Sequence, residues 1–363
     1  MGEFIYTMHG GNLDAVEREY GIPKEKIIDF SGNVNPLGPP EPALKAIVDE
    51  VSAVARYPDV LYRTLRVGIG RYTGADAEYV IPGNGSTELI SGYIRLAAPE
   101  TAVVVSPAYS EYERSIALAG GDIKLFELEP ENGFRVDVDK LISFAHNADL
   151  LVICNPNNPT GAAVTTMQLE HMLSELPNTK VMVDETYAEF TDMPILSAGL
   201  VNRYPNLFTV RGTSKFFAVP GLRLGYALCG CEQTRRRILA EKDPWSVNIL
   251  SVLAGEAIFS GSDRMADYMR RTREMTADWR GMIRGAKLAG FHIYESQSNF
   301  MLAKILLPTV TAAEITEKLL KRANILIRNA ASFPYLDESY IRFCMRLPEE
   351  NALLLTALGE ILS

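Results

Sequence analysis

Lys215 has sequence neighbours that suit a reactive amine. It lies in the segment VRGTSKFFAVPGLRLGY (210–226), where small residues precede it and the apolar run FFAV follows. Such neighbours favour a partly desolvated pocket, and desolvation lowers the pKa of an amine. A partly neutral lysine is a nucleophile for carbonyl groups, which is the first step of Schiff-base chemistry. The same pattern also fits a lysine whose stem packs on apolar surface while its charge reaches solvent.

A second segment has the composition of an anion site. GNGSTE (83–88) follows a β-rich run and opens the helical pattern STELISGYIRLAA. Glycines before a helix N-terminus leave backbone N–H groups free at the positive end of the helix dipole, which suits a phosphate. Gly85, Ser86 and Thr87 are therefore candidate phosphate ligands, although a Ser/Thr N-cap with Glu88 in the first turn explains the same residues. A dinucleotide site is disfavoured because Glu88 stands where the third glycine would be.

Two more polar motifs end predicted strands. CNPNNPTG is a loop rich in proline and in amide side chains, and VDETY carries Asp184 and, three residues later, Tyr187. An aspartate at a strand end is commonly a helix cap. In an open α/β sheet, however, ligands gather at the carboxyl ends of the strands, where these motifs fall. Both residues are therefore candidates for the cleft that contains Lys215.

The elements that must position these residues follow from the hydrophobic pattern. Between about residues 78 and 230, short β-rich runs alternate with helical patterns, which predicts an α/β fold with a mostly parallel sheet and helices on both faces. From about Pro244 the pattern predicts a smaller α+β C-terminal domain. We expect an N-terminal arm (1–45) over the site, a large domain (46–245) and a small domain (246–363). The predicted strands of the large domain are EYVIPGNG, TAVVVSP, DIKLFELE, DLLVICNPNNPTG, TKVMVDE, NLFTVRGTSK and LRLGYALCG, and those of the small domain are FHIYES, NFMLAKI, ILIRN and YIRFCMR.

The composition is that of an acidic globular chain. Its 363 residues are 47% hydrophobic, which is enough for a large core and further subdomains. A net charge of -9 argues against binding to nucleic acid or anionic membranes, so an anionic substrate must be held by local arginines. The four cysteines and four histidines make no zinc-type pattern, and we expect no metal and a reduced, cytoplasmic location. We see neither a signal peptide nor an apolar stretch approaching the ~20 residues of a membrane span.

Read in chain order, GST, NPNNPTG, DETY and SKFFAVPGLRLGY resemble the motifs of the fold-type I pyridoxal-phosphate enzymes of the class I/II aminotransferase group, over nearly the whole chain. The resemblance implies that Lys215 binds pyridoxal 5'-phosphate covalently and then moves protons. It implies that Asp184 keeps the pyridine nitrogen protonated, so that the ring withdraws electrons from a carbanion at Cα. The other cofactor contacts implied are Gly85, Ser86, Thr87 and Arg223 at the phosphate, Asn158 and Tyr187 at the phenolic oxygen, and Tyr109 stacked on the ring.

Two positions bear on how the cofactor phosphate is held. Many relatives carry Ser or Thr three residues before the lysine, where this chain has Gly212, which leaves Thr213 and Ser214 as alternative hydroxyl ligands; we include Ser214. The resemblance also implies a homodimer with shared sites, in which Tyr57 of the motif RYPD reaches the neighbouring subunit's cofactor phosphate. A tyrosine in an X-Pro turn explains Tyr57 equally well without the other motifs.

Within this group, HGGN and DFSGNVNPLGPP resemble the N-terminal arm of L-threonine O-3-phosphate decarboxylases of cobalamin biosynthesis more closely than that of histidinol-phosphate aminotransferases. PWSVN and ILIRNAASFPYL point the same way. The resemblance implies that Arg342 holds the substrate carboxylate and Arg328 the substrate phosphate, with Arg346 as a weaker third ligand and Asn158 beside them. A salt-bridged strand edge would explain the arginines as well.

Three residues of the N-terminal arm are further candidates. His9 could donate to the substrate phosphate, although an isolated histidine in an N-terminal segment is usually solvated. Asn33 is a candidate substrate ligand, but Asn33 and Asn35 also suit the NVNPLG turn.

The reaction depends on which bond at Cα stands perpendicular to the cofactor ring, and no residue type fixes that. We expect decarboxylation of L-threonine O-3-phosphate to 1-aminopropan-2-ol phosphate, a small phosphorylated substrate and product, with histidinol-phosphate aminotransfer as the alternative. A non-catalytic regulator with this fold is disfavoured because Lys215, Asp184 and Arg223 occur together and no basic domain is added. A nicotinamide oxidoreductase lacks its third glycine.

Overall fold

The computed structural model describes residues 10–286 and 288–362. Helices and strands alternate through the first two thirds of this chain, as the sequence predicts. The helices are α1 (Leu13–Tyr20), α2 (Glu41–Asp49), α3 (Arg63–Thr73), α4 (Ser86–Ala97), α5 (Glu111–Leu118), α6 (Val138–Ala145), α7 (Thr166–Glu175), α8 (Glu232–Glu241), α9 (Ile249–Ile258), α10 (Asp263–Gly285), α11 (Ala312–Ala323) and α12 (Pro348–Leu362). The strands are β1 (Ile28–Asp29), β2 (Val80–Asn84), β3 (Thr101–Ser106), β4 (Asp122–Glu127), β5 (Leu150–Cys154), β6 (Lys180–Asp184), β7 (Leu207–Gly212), β8 (Leu224–Leu228), β9 (Phe291–Ile293), β10 (Phe300–Ile305), β11 (Ile325–Leu326), β12 (Arg328–Asn329) and β13 (Tyr340–Cys344).

The large sheet has seven strands in the order β2-β8-β7-β6-β5-β3-β4. Its strands are parallel except β8, which runs antiparallel to both neighbours, β2 and β7. Alternate residues of one strand belong to different cores: Leu151 and Ile153 of β5 pack in one, and Leu150 and Val152 in the other. Both faces are therefore covered, which explains why the parallel strands read as continuous apolar runs. The predicted fold class is confirmed.

The antiparallel direction of β8 brings distant sequence motifs to one end of the sheet. β2, β6 and β7 all finish at that end, with Asn84, Asp184 and Gly212. The chain then crosses residues 213–223 and returns as β8, so Arg223 lies at the same end as Lys215. This hairpin explains the eight-residue spacing between the lysine and the arginine.

The C-terminal part contains a four-stranded antiparallel sheet in the order β12-β13-β10-β9. The predicted single strand ILIRN is divided in two, because β11 pairs in parallel with β1 of the N-terminal arm whereas β12 pairs with β13. Backbone hydrogen bonds thus join the arm to β11, the strand that directly precedes β12 of the small sheet. One of them runs from the Phe30 N–H to the Leu326 carbonyl at 2.8 Å. The boundaries of the three predicted domains stay a prediction. Among the residues described, we find no helix with the length and apolarity that crossing a bilayer requires.

Candidate active site

A cavity of about 250 Å³ lies at the carboxyl end of the large sheet. Residues of the arm, the large sheet and the small sheet line it together. The sequence-predicted residues that line it are Asn33, Ser86, Thr87, Tyr109, Asn158, Asp184, Tyr187, Ser214, Lys215, Arg223, Arg328 and Arg342.

The start of α4 is shaped as a cradle that glycine alone permits. Gly85 has φ +77°, and a Cβ there would lie 2.3 Å from Nη2 of Arg223. On the opposite side, a Cβ on Gly225 would lie 2.5 Å from the Ser86 nitrogen. The first N–H groups of a helix have no intrahelical acceptor, so this close approach places free amides beside a guanidinium group. The cradle suits a phosphate.

Asp184 is a buried carboxylate at the end of β6. Its Oδ2 accepts a hydrogen bond from the Tyr112 hydroxyl at 2.7 Å, and its Oδ1 accepts from the Thr186 amide at 2.9 Å and the Thr186 hydroxyl at 2.5 Å. Burial raises the pKa of Asp184, and these hydrogen bonds oppose the rise. Within the described ranges it has no basic ion-pair partner. A positively charged ring N–H that donates a hydrogen bond to Asp184 would neutralise this carboxylate.

Lys215 lies in the cavity wall, and its Nζ donates to the Gly32 carbonyl at 2.8 Å. Burial and, next, the positive charge of Arg342 lower the pKa of Lys215 to about 8. A substantial fraction of this amine is therefore neutral near physiological pH, as the apolar run after it predicts. The geometry fits a nucleophile for a carbonyl group.

Two arginines face the same cavity without a carboxylate partner in the described part of the chain. Arg342 is buried; its Nη2 donates to the Ser31 carbonyl at 2.7 Å and its Nη1 to Oδ1 of Asn158. Arg328 donates to the Ser332 hydroxyl at 2.6 Å, and burial together with Arg342 lowers its pKa to about 10. A buried guanidinium group without a carboxylate partner is stabilised when an anion binds beside it. The cavity can hold a ligand with two acidic groups.

Further predicted residues connect the arm to the part of the cavity lined by tyrosines. The Asn33 amide donates to the Tyr187 hydroxyl at 3.3 Å, and burial raises the pKa of Tyr187. Tyr109 packs edge-on against Tyr112, with ring centroids 5.6 Å apart. Asn35 lies away from the cavity and donates to the Phe216 carbonyl at 2.9 Å. Of the two asparagines, Asn33 is therefore the one that reaches the pocket.

Two residues with clear roles in the geometry were missed from the sequence. Tyr112 and Thr186 both line the cavity and hold Asp184 by hydrogen bonds. Tyr112 stands three residues after Tyr109 in SPAYSEY, a spacing that puts both on one side of a helical turn, so a signal was present. Thr186 lies inside the DETY motif between Asp184 and Tyr187.

The structure does not bring every predicted residue to the cavity. Arg346 is not among the residues that line it and pairs with Glu350 at 3.1 Å, so its role as a weaker substrate ligand stays a prediction. Tyr57 is 78% exposed and contacts Trp245, with ring centroids 5.1 Å apart. His9 lies outside the described residues.

The hydroxyl that Gly212 lacks is not supplied by Thr213. The Thr213 hydroxyl donates to the Leu224 carbonyl at 2.9 Å, whereas Ser214 lines the cavity. A Cβ on Gly212 would meet Thr186 Oγ1 at 3.6 Å and Ser86 Oγ at 3.7 Å, which are ordinary contact distances. Space for a side chain therefore exists beside the cradle.

The sequence matches a known protein family over most of its length. A family model described as "Aminotransferase class I and II" matches residues 25–358. This chain belongs to that family. Members of the family are pyridoxal-phosphate enzymes. The glycine-lined cradle fits that cofactor, as does the buried Asp184, which has no cationic partner among the residues described. The protein is a pyridoxal-phosphate-dependent enzyme.

Individual members of the family are similar over nearly the full length. The chain is 39% identical to a "Putative threonine-phosphate decarboxylase" of Caldanaerobacter subterraneus subsp. tengcongensis, covering 96% of this chain and 92% of that protein. It is 30% identical to the threonine-phosphate decarboxylase of Salmonella typhimurium, covering 98% and 97%. The solved structure of histidinol-phosphate aminotransferase from Clostridium acetobutylicum superposes with a TM-score of 0.85 at 28% identity, covering 92% and 98%.

Proposed function

We propose that the protein decarboxylates L-threonine O-3-phosphate to 1-aminopropan-2-ol O-phosphate, a step of cobamide side-chain synthesis, in the cytoplasm. The observation that carries the chemistry is the joint presence of Lys215, Arg328 and Arg342 in one cavity, with neither guanidinium neutralised by a described carboxylate. The two guanidinium groups complement the phosphate and the carboxylate of the substrate, and Lys215 is the amine that would carry the cofactor. The 39% identity to a relative that carries the decarboxylase name supports the choice of reaction.

The residues of the cradle and the sheet end would hold the cofactor. Gly85, Ser86, Thr87, Ser214 and Arg223 would hold its phosphate, and Asp184 would accept a hydrogen bond from its ring nitrogen. Asn158 and Tyr187 would hydrogen-bond the phenolic oxygen, and Tyr109 would stack on the ring. When bound, pyridoxal phosphate withdraws electrons from the substrate Cα and stabilises the carbanion that bond cleavage leaves there.

The substrate residues would choose the bond that breaks. Arg328 holds the phosphate, and Arg342, fixed by Asn158 and the Ser31 carbonyl, orients the carboxylate. In decarboxylation the Cα–carboxylate bond breaks, carbon dioxide leaves and a proton takes its place at Cα. Lys215 is the proton donor in this proposal, because it is an amine in the cavity wall, where its Nζ donates to the Gly32 carbonyl at 2.8 Å.

Carbon dioxide release from L-threonine O-3-phosphate, with pyridoxal phosphate present and every keto acid omitted, tests the proposal. Sustained release by the wild type and none by Lys215→Ala are expected. Arg342→Ala should retain the bound cofactor but lose most turnover, because the carboxylate loses its charge-assisted hydrogen bonds.

Histidinol-phosphate aminotransfer is the second candidate, and it is favoured by the TM-score of 0.85 to a structure of that enzyme. It uses almost the same residues, since both substrates carry an amine and a phosphate monoester. Glutamate formed from histidinol phosphate and 2-oxoglutarate, without carbon dioxide release from threonine phosphate, would replace the decarboxylase proposal.

We also propose a homodimer in which Tyr57 contributes to the neighbouring subunit's cofactor phosphate. Exposed apolar side chains recur along the segment that leads to Tyr57, and exposed apolar surface is typical of an interface. The members with more than half of their surface exposed are Val48, Val51, Val54 and Tyr57.

A further inference from the structure

Glu88 stands in the first turn of α4, next to the residues proposed to hold the cofactor phosphate, yet it does not line the cavity. A carboxylate so close to a bound dianion would repel it. The side chain instead turns back along the chain, where its Oε2 accepts the Asn84 N–H at 2.6 Å. The arrangement therefore separates the carboxylate from the anion site while using it as a hydrogen-bond acceptor.

The bond from Asn84 fixes the loop that precedes the helix. With the Asn84 N–H bound to Glu88 and the Gly85 N–H bound to the Gly83 carbonyl at 2.8 Å, the loop amides before the helix have acceptors. The amides of Ser86 and Thr87, in the first helical turn, have no acceptor among the described residues and can bind a ligand. Glu88 thus occupies the Asn84 N–H and fixes the loop that leads into these two amides.

The connection between α8 and α9 neutralises Glu88 from outside the cavity. Lys242 Nζ lies 3.7 Å from Glu88 Oε2, and the Ser246 hydroxyl donates to the same oxygen at 3.1 Å. Lys242 also contacts Ser246 and lies over the Tyr62 ring, 5.7 Å from its centroid. The lysine side chain is 8% exposed and that of Glu88 29%, so solvent screens this pair less than a surface ion pair.

We propose that Glu88, held by Lys242 and Ser246, is a positioning residue for the phosphate cradle of the cofactor. Its effect is on affinity for the phosphate group rather than on the reacting atoms. The inference rests on the proposed role of the cradle at Gly85 to Thr87.

Paired dissociation constants of the apoprotein for pyridoxal phosphate and for pyridoxal, which lacks the phosphate, test this role. Glu88→Ala is expected to weaken pyridoxal phosphate binding about tenfold, the usual cost of losing a charged hydrogen-bond partner, and to change pyridoxal binding less than about twofold. Lys242→Met should also weaken pyridoxal phosphate selectively, because it leaves the Glu88 charge uncompensated.

The double variant Glu88→Gln with Lys242→Met should return to within about threefold of the wild type. Neither charge remains, and the glutamine carbonyl still accepts the Asn84 N–H. Glu314→Ala is the matched control: Glu314 accepts the Thr311 N–H at 3.0 Å in the first turn of α11, far from the cradle. It should leave both dissociation constants unchanged.

Equal weakening of both ligands by Glu88→Ala, or no change in either, would overturn the positioning role. The variant Arg223→Met distinguishes a wrong role for Glu88 from a wrong assignment of the phosphate cradle. If Arg223→Met removes the preference for the phosphorylated ligand while Glu88→Ala does not, only the role of Glu88 is wrong; if neither variant affects the preference, the cradle assignment is wrong.

Discussion

Three cations share the substrate end of the cavity, and their charges act on one another. Arg342 lowers the pKa of both Lys215 and Arg328, after burial as the larger cause. Burial and the Arg342 charge together therefore favour the neutral, nucleophilic form of Lys215. A substrate with two anionic groups offsets the arginine charges, so its arrival raises the pKa of Lys215 and favours the protonated amine that can protonate Cα.

The pH dependence of cofactor attachment should report this pKa. Covalent capture of pyridoxal phosphate needs the neutral amine, so its rate in the apoprotein is expected to rise with pH to a plateau with a midpoint at about 8. Stopped-flow measurement of the visible absorbance of the attached cofactor follows it. In Arg342→Met the midpoint should move to higher pH, because a neighbouring positive charge is gone. A midpoint near that of free lysine, about 10.4, in the wild type would contradict the prediction.

Individual residues were predictable where a motif ties them to chemistry. Lys215 and Asp184 follow from their sequence neighbours and from strand ends that must meet. Tyr112 was missed because its role arises from a hydrogen bond across 72 positions of the chain. Arg346 pairs with Glu350, four residues later, a spacing at which opposite charges meet on a helix, so its role as a third substrate ligand stays a prediction.

At the scale of elements, the cradle depends on how closely β8 approaches the start of α4. No side chain fits between Gly225 and the Ser86 nitrogen, so the strand and the helix are in backbone contact. This contact sets the distance from the helix amides to Arg223. Sheet geometry, rather than side-chain choice, therefore determines the size of the anion site.

Gly225→Ala should consequently push the start of α4 away from β8. Overpacking of this kind typically costs about 1–3 kcal/mol, and we expect a comparable loss of unfolding free energy with pyridoxal phosphate bound at least about tenfold more weakly. Gly221→Ala is the control, since a Cβ there would have no neighbouring atom of the described residues within 4 Å. Chemical denaturation and cofactor titration measure both effects. Unchanged affinity in Gly225→Ala would show that the backbone contact is not limiting.

In the large sheet the number and chain order of the strands were predictable, but their directions and partners were not. All seven predicted strands of the large sheet exist, because each is a short apolar run between turn residues. The reversed direction of β8 leaves no local trace in LRLGYALCG. The division of ILIRN between β1 and β13 was hidden for the same reason, since strand partners are set by tertiary contacts.

At the scale of the molecule, the exposed apolar side chains around Tyr57 should be an interface between subunits. Val54→Asp is expected to give a monomer with weaker pyridoxal phosphate binding, because an interface would bury the new charge unpaired. Val54 is 63% exposed in the single chain, so the subunit itself should fold normally. Met167→Asp, at an 80% exposed position on α7, should remain dimeric. Light scattering after size-exclusion chromatography measures this; a monomeric wild type or a dimeric Val54→Asp would refute it.

The reversed strand β8 also determines when the binding site can form during synthesis. β2 lies at the edge of the sheet and pairs with β8, whose last residue, Leu228, leaves the ribosome 144 positions after Asn84. Before β8 is made, the segment GNGSTE (83–88) lacks both its neighbouring strand and Arg223. Contacts so distant in sequence form slowly, and a partly made chain exposes unpaired strand edges. Cofactor capture is therefore a late event that reports completion of the large sheet.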